Sequence, residues 1–320
     1  MAATAPISAE HEKRQAALSS VVASIFLTAI KIIVGIATGS LGILAEAAHS
    51  ALDLIAALAT FFAVRFADRP ADEQHRYGHG KIENFSALIE TVLLLITSAW
   101  IISEAMQRLF LESVEVDASF WAFLVIGVSV GVDYAVSRVL IRAATAHHSQ
   151  ALEADALHFS TDIWSSSVVI AGLIGVKLGE WFPGLAFLGK ADAIAAIVVA
   201  IIVVYVSLQM GKRTVLALLD TAPEGLSDRI KTAVEAVPGV AECHRVRVRL
   251  SGPYLFVDAH AALADDPPLS VAHDIVLQIE EAIHQLAPRA DVVVHADPET
   301  VVTDRLAREE AAEELRYTPD

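Results

Sequence analysis

Long apolar stretches alternate with short polar links over the first two thirds of the chain. Six apolar stretches are each near the ~20 residues that cross a bilayer as a helix, and they run roughly over residues 17–38, 42–66, 82–110, 118–143, 150–178 and 188–211. The third, fourth and fifth exceed the minimum length, so we expect them to tilt or to extend into water. The pattern predicts an α-helical membrane protein with six transmembrane helices.

A different pattern follows Pro223. Here we expect a helix, two strands joined by a turn, a second helix and a third strand, over Leu226–Val237, His244–Leu250, Tyr254–Leu263, Ser270–Leu286 and Asp291–His295. This αββαβ order is typical of a small α+β domain with helices on one face of its sheet. We therefore predict a six-span domain over residues 1–214, a soluble domain over 215–302 and a charged tail over 303–320.

The composition supports a membrane protein that carries a soluble part. Hydrophobic residues make up 55% of the chain and charged residues 19%, which is more apolar than an ordinary soluble domain. Cys243 is the single cysteine, so no disulfide can form within the chain. Lysines and arginines are few and scattered, which argues against a nucleic-acid partner. The polar start and the length of the first apolar stretch argue against a cleaved signal peptide.

Basic residues lie mainly on one side of the predicted membrane. They cluster before the first stretch, in alternate links and after the sixth stretch, at Lys13, Arg14, Arg65, Arg69, Arg76, Lys81, Arg138, Arg142, Lys212 and Arg213. Lysine and arginine favour the cytoplasmic side of a membrane. We therefore expect both termini to be cytoplasmic.

Two segments within the apolar stretches share the pattern acid-x-x-His-x-x-x-Asp. They contribute His49 with Asp53 and His158 with Asp162. Residues four apart lie on one face of a helix, and ionisable side chains at membrane depth suggest function. Two imidazoles and two carboxylates suit tetrahedral zinc. The alternative is a set of polar residues that bond only to one another.

Two further sets of potential metal ligands lie outside the apolar stretches. The link after the second stretch carries Asp72, His75 and His79, and the soluble domain carries His244, His260, His273, His295 and Asp297. The alternatives are a solvated polar loop and scattered surface histidines. We interpret the other four histidines as surface residues, at His11, His147, His148 and His284. Cys243 is expected to point away from its neighbour His244.

Together these motifs resemble the cation diffusion facilitator family, in particular its bacterial zinc and iron efflux branch (YiiP/FieF-like). The resemblance runs from about Gln15 to Val302. It covers both His-x-x-x-Asp motifs, the Tyr77-Gly78-His79-Gly80-Lys81 signature, and the C-terminal motifs that contain Ser251-Gly252-Pro253, His260 and His295-x-Asp297-Pro298.

The resemblance implies a homodimer in the bacterial inner membrane that exports divalent metal in exchange for protons. It assigns His49, Asp53, His158 and Asp162 to a transport site, and Asp72, His75 and His79 to a loop site. His244, His260, His273, His295 and Asp297 match a binuclear site at a soluble dimer interface, with Asp297 bridging two ions. Lys81 and Asp220 match a salt bridge between protomers.

Relatives often have Asp where this chain has His49, and imidazole favours zinc over harder ions. Zn²⁺ is thus the expected substrate, with cadmium or iron as alternatives, and it is the expected ion of the soluble sites.

Other classes of protein remain open at this point. Glu46-x-x-His49 and Asp155-x-x-His158 also resemble the ligand pairs of di-iron bundles, with Glu90 as a third carboxylate, so a membrane di-metal oxidase or hydrolase is the rival. A passive channel or metal receptor is the third possibility. Lys31 and Asp133 are a candidate ion pair between the first and fourth stretches.

Overall fold

A computed structural model describes residues 7–110, 120–181 and 188–299. The chain divides into two compact units, which meet between Leu216 and Ala217. The first unit is formed by six long helices, α1 (Ile7–Thr38), α2 (Leu41–Ala67), α3 (Lys81–Phe110), α4 (Phe120–His147), α5 (Gln150–Trp181) and α6 (Leu188–Leu218). The predicted charged tail after residue 302 lies outside the described residues.

The six predicted helices are confirmed, and among the described residues five are long and apolar enough to cross a membrane. The sixth, α5, spans 32 residues. Large apolar side chains on the outside of the bundle are exposed, such as Ile33, Ile55 and Ile96. An exposed apolar surface of this extent is typical of helices that face lipid.

Helix α1 begins about ten residues before the predicted apolar stretch. Its first turns are polar in composition, yet Ala9, Lys13, Ala16 and Ala17 are buried. These positions recur at helical spacing, so one face of the extension packs on the bundle. The prediction placed the boundary by hydropathy alone and therefore missed a helix whose buried face includes a lysine.

Alternate helices run in opposite directions, which gives the bundle two distinct ends. We call the end where α1, α3 and α5 begin the Lys13 end, and the opposite end the Thr38 end. Small side chains fill the helix contacts at the Lys13 end, at Ala16, Ala17, Ala87, Ala144, Ala151, Ala154 and Ala156. Small residues let helix backbones approach closely in a membrane, and together with larger buried side chains such as Leu140 and Leu152 they pack this end of the bundle closely.

A buried ionic cluster joins four helices at the Lys13 end. The Lys13 ammonium of α1 forms ion pairs with Asp68, which follows α2, and with Glu83 of α3 at 3.0 Å. The Ser149 hydroxyl, immediately before α5, donates to Glu83. Lys13 and Glu83 are almost fully buried, so each charge depends on the other for compensation.

His147 belongs to the same region and corrects one prediction. It was expected at the surface, but it is 7% exposed and its Nε2 lies 2.9 Å from a carboxylate oxygen of Glu12. His11 and His148 are exposed as predicted. The last turn of α4 packs against the polar extension of α1, which the sequence pattern did not reveal.

The second unit has the predicted αββαβ order. It consists of α7 (Leu226–Glu235), β1 (Val240–Ser251), β2 (Tyr254–Leu263), α8 (Leu269–Leu286) and β3 (Ala290–Pro298). The sheet order is β1-β2-β3, with β1 antiparallel and β3 parallel to β2. Apolar side chains of α7 and α8, including Ile230, Ile279 and Ile283, pack on one face of the sheet.

Candidate metal sites

The repeated motif brings three of its four predicted ligands together between α2 and α5. The His158 Nε2 lies 3.1 Å from the Asp53 Oδ1 and 3.6 Å from the Asp162 Oδ2. One potential ligand atom from each of these three residues lies within 4.8 Å of the other two. Asp53 and Asp162 come from different helices, so the group forms only when α2 and α5 pack together.

His49 lies beside this group. Its Nε2 is 4.0 Å from the Asp53 Oδ1, and its ring meets the edge of Trp100 with 6.2 Å between ring centroids. Its Nδ1 is buried with no hydrogen-bond partner among the described residues. His49 is therefore adjacent to the three-residue group but not part of it.

A cavity of about 440 Å³ extends from this group toward the Thr38 end. Its polar lining combines His49, Asp53 and Asp162 with side chains nearer that end of the helices, at Lys31, Glu46, Ser98, Asp133 and Ser165. The closely packed Lys13 end lies on the opposite side of the group. Among the described residues, the polar lining therefore extends from the group toward the Thr38 end.

Lys31 occupies the wall of this cavity. The expected pair with Asp133 is wrong: the Lys31 Nζ contacts Glu46 at 3.2 Å and donates to the Ser50 hydroxyl at 2.7 Å. Both partners lie on α2, which packs directly against α1. The sequence offered Glu46 only as a possible di-iron ligand. Glu46 and Ser50 are four residues apart on α2, so both face Lys31.

The link between α2 and α3 positions the second predicted set. The backbone N–H groups of Gln74 and His75 donate to the Asp72 Oδ1 at 2.9 and 2.6 Å. The Asp72 carboxylate also lies 3.2 Å from the His75 Nδ1 and 3.3 Å from the His79 Nε2. Gly78, with φ of +76°, makes the reversal that returns His79 to Asp72.

The pKa of Asp72 is lowered below its ordinary value. The backbone N–H of His75 is the main cause, and the Gln74 N–H and the His75 ring add to it. The carboxylate is thus held ionised by the turn itself, with Asp72 and His75 about half exposed. The loop presents the Asp72 carboxylate and the His75 imidazole to solvent, whereas the His79 side chain is largely buried.

In the soluble unit, strand pairing aligns three histidines in a row. His244 of β1 is in register with His260 of β2, and His260 is in register with His295 of β3. Their ring centroids are 5.4 and 4.8 Å apart. Side chains opposite each other on neighbouring strands share a face of the sheet, so the row lies on one face.

Asp297 joins this row from the same strand as His295. Its carboxylate lies 3.0 Å from the His260 Nδ1, 3.2 Å from the His295 Nε2 and 3.5 Å from the His244 Nε2. Burial alone would raise the pKa of Asp297, but the hydrogen bond from His260 and the nearby histidines lower it below its ordinary value. The carboxylate is thus ready to bind a cation.

The remaining predicted residues of the soluble unit lie apart from this group. His273 is exposed on α8 and is not part of it. Burial raises the pKa of the Cys243 thiol to about 11, which makes it a packing residue rather than a metal ligand. The Asp220 carboxylate lies 4.0 Å from Arg249, and the predicted bridge between Lys81 and Asp220 of two protomers stays a prediction.

Comparison with known proteins agrees with the class that the fold and sites define, a membrane protein with several metal-binding groups. Residues 17–219 match the cation efflux transmembrane domain, and residues 222–299 match the cytoplasmic domain of cation efflux proteins. The chain belongs to the cation efflux family, as its motifs indicated. It is therefore a multi-pass membrane transporter of metal cations, and the di-metal enzyme interpretation is excluded.

The chain is similar to cation-efflux pumps named FieF. It is 34% identical to that of Yersinia enterocolitica over 292 residues, which cover 90% of this chain and 94% of the relative. It is 32% identical to that of Klebsiella pneumoniae over 293 residues, which cover 90% and 93%.

Solved structures similar to the chain cover its soluble unit. The manganese form of the MamM C-terminal domain is 28% identical, with a TM-score of 0.22, over 23% of this chain and 96% of that one. The metal-bound C-terminal domain of the CzcD transporter from Thermotoga maritima is 26% identical, with a TM-score of 0.22, over 23% and 86%.

Proposed function

We propose that this protein is a proton-coupled zinc exporter of the bacterial inner membrane, with His49, Asp53, His158 and Asp162 as its transport site. The grouping of His158 between Asp53 and Asp162, inside a membrane bundle, is the observation that carries the proposal. Nitrogen and carboxylate ligands in a set of four suit zinc. Cadmium and iron are secondary substrates because imidazole binds several borderline metals.

Transport proceeds by alternating access to this site. The Lys13 end is cytoplasmic, because α6 finishes at that end and the cytoplasmic domain follows it in the sequence. Both termini are then cytoplasmic. The cavity that extends toward the Thr38 end would form the path to the outside, and the close packing of the Lys13 end would separate the site from the cytoplasm. Opening of the Lys13 end, with closure of the cavity, would admit the next zinc ion.

Competition between zinc and protons couples the two flows. Imidazole and carboxylate must be deprotonated to bind metal, and histidine titrates near pH 6.5 in its ordinary state. Protons that enter the outer cavity would displace zinc and return with the empty site. Export against a zinc gradient is then driven by proton entry.

The metal sites of the soluble domain and of the loop would have a different function from the transport site. His244, His260, His295 and Asp297 would bind zinc at the interface of a homodimer, with His273 as the further ligand that the family resemblance implies. Lys81 and Asp220 would pair between protomers. Zinc bound there stabilises the dimer by mass action, and the loop site of Asp72, His75 and His79 holds a further ion.

Zinc flux into vesicles tests the transport site. Purified protein in lipid vesicles should accumulate zinc under an imposed proton gradient, and Asp53→Ala should abolish the flux because it removes the carboxylate shared by both histidines. Asp228→Ala on α7, an acid on the soluble unit, is the control and should transport normally. Full flux in Asp53→Ala would overturn the site assignment. Zinc flux that is indifferent to the pH gradient would instead indicate a passive channel.

A further inference from the structure

His49 lacks the hydrogen bonds that usually fix the ring of a metal-binding histidine. Such a ring ordinarily donates from its second nitrogen to a carboxylate, a carbonyl or water, and this bond sets its orientation. The His49 Nδ1 is buried without a hydrogen-bond partner among the described residues. Its Nε2 lies 4.0 Å from the Asp53 Oδ1, which is beyond hydrogen-bond distance. His158, by contrast, contacts the same oxygen at 3.1 Å. The orientation of the His49 ring therefore depends on packing contacts.

Trp100 of α3 provides a contact of this kind. Its ring centroid lies 6.2 Å from that of His49, and the two ring planes meet at 65°, which is the edge-to-face arrangement that aromatic pairs prefer. Both side chains line the cavity that extends from the site toward the Thr38 end. Helix α3 contributes none of the four proposed ligands. The contact therefore connects a helix outside the ligand set to one of the ligands.

The exposure of Trp100 separates it from the residues that hold the bundle together. Its exposed fraction is 61%, whereas Leu94 of the same helix is 2% exposed. An apolar side chain stabilises a fold roughly in proportion to the area that it buries, so Trp100 contributes less to helix packing than its size suggests. Replacing it with a smaller apolar residue should leave the helices packed and remove the contact with His49.

We propose that Trp100 is a positioning residue of the transport site, which limits the rotation of the His49 imidazole and keeps its Nε2 on the side of Asp53. This inference rests on the proposed function and extends the site to a residue that binds no metal itself. Fixing a side chain in one orientation costs conformational entropy. A ring that is already oriented loses less of it when zinc binds, so the affinity for zinc is higher.

The zinc dependence of flux into vesicles tests this role. Trp100→Leu should raise the zinc concentration that gives half-maximal flux by about twofold to tenfold, the usual contribution of an aromatic pair. The maximal rate should change less, because the ligands themselves are retained. Trp100→Phe keeps an aromatic ring beside His49 and should remain closer to the wild type than Trp100→Leu.

A second background shows whether Trp100 acts through His49. His49→Asp replaces the imidazole with a carboxylate, which can also bind zinc. In this background Trp100→Leu should cause no further change, because the ring that it positions is absent and the two substitutions are then not additive. Zinc titration of the purified full-length protein gives the same comparison as a binding affinity if the flux of His49→Asp is too low to measure.

Trp164→Leu is the matched control. Trp164 lies on α5 and is 63% exposed, and it is not among the described residues that line the cavity. Its zinc dependence should equal that of the wild type. An unchanged zinc dependence in Trp100→Leu would overturn the inference. An equal effect of Trp100→Leu with and without His49 would also overturn it, since Trp100 would then act independently of that ring. Absence of zinc flux in wild-type vesicles would instead contradict the proposed antiport itself.

Discussion

At the scale of single residues, one aspartate links the histidines of each candidate metal group. Asp53 lies near His49 and His158, Asp72 lies near His75 and His79, and Asp297 lies near three histidines of the sheet. Each carboxylate thus holds the imidazole nitrogens of its group within a few ångströms of one another. Removing the aspartate should disperse the ligands as well as remove one of them.

Asp297→Asn should weaken zinc binding in the soluble unit by at least tenfold. The amide keeps the shape of the side chain but loses the negative charge that balances the cation and draws His260 toward it. Zinc titration of full-length protein measures the effect, and Asp274→Asn, an exposed acid on α8, is the control. Equal zinc affinity in Asp297→Asn and the wild type would show that the histidines suffice alone.

Acid should release zinc from the soluble unit through the histidines and not through Asp297. Because the pKa of Asp297 is lowered, its carboxylate stays ionised at the pH where an ordinary carboxyl group takes up a proton. Its stabilising contacts with the histidines are therefore lost only at a lower pH. Metal ligands must be deprotonated to bind, so the zinc-induced rise in melting temperature should be lost, as the pH falls, before the Asp297 carboxylate takes up its proton. A rise that persists until about pH 4 would contradict this expectation.

At the scale of helices and strands, periodicity determines part of each site. The i, i+4 spacing of His49 with Asp53 and of His158 with Asp162 is enough to place each pair on one helix face. Alternation likewise places His260 and His295 on strands. The row of His244, His260 and His295 could not be predicted, because it depends on the parallel register of β3 against β2.

The partners of the buried charged side chains could not be predicted from the sequence either. Lys31 could meet an acid on any neighbouring helix, and only the packing of α1 against α2 selects Glu46. The Lys13 cluster combines residues from four separate segments. Hydropathy describes each helix alone, whereas these contacts depend on the rotation of one helix against another.

Glu83→Ala should destabilise the bundle by about 3–5 kcal/mol, the usual effect of leaving one buried charge without its partner. It would leave the buried Lys13 ammonium with Asp68 alone and remove the acceptor of Ser149. Unfolding in detergent measures the change. Glu73→Ala, an exposed acid in the link after α2, should unfold like the wild type. A stability loss below about 1 kcal/mol would mean that water or lipid replaces the contact.

At the scale of the whole molecule, the described residues of the bundle combine a polar-lined cavity toward the Thr38 end with close helix packing at the Lys13 end. Ala154→Leu should slow zinc flux at least tenfold while leaving zinc bound at the transport site, because a larger side chain would hold the packed helices apart or prevent their movement. Vesicle flux and zinc titration separate the two effects. Ala171→Leu on the exposed face of the same helix is the control.

The alanine packing of the Lys13 end also has a thermodynamic consequence. Alanine has no side-chain rotamers to lose on burial, so the side-chain entropy regained when these helices part comes mainly from larger neighbours such as Leu140 and Leu152. The balance between the packed and the parted Lys13 end sets this entropy against the enthalpy of the polar contacts of Lys13 with Asp68 and Glu83. Warming would therefore shift this balance in the direction of the state that lacks those contacts.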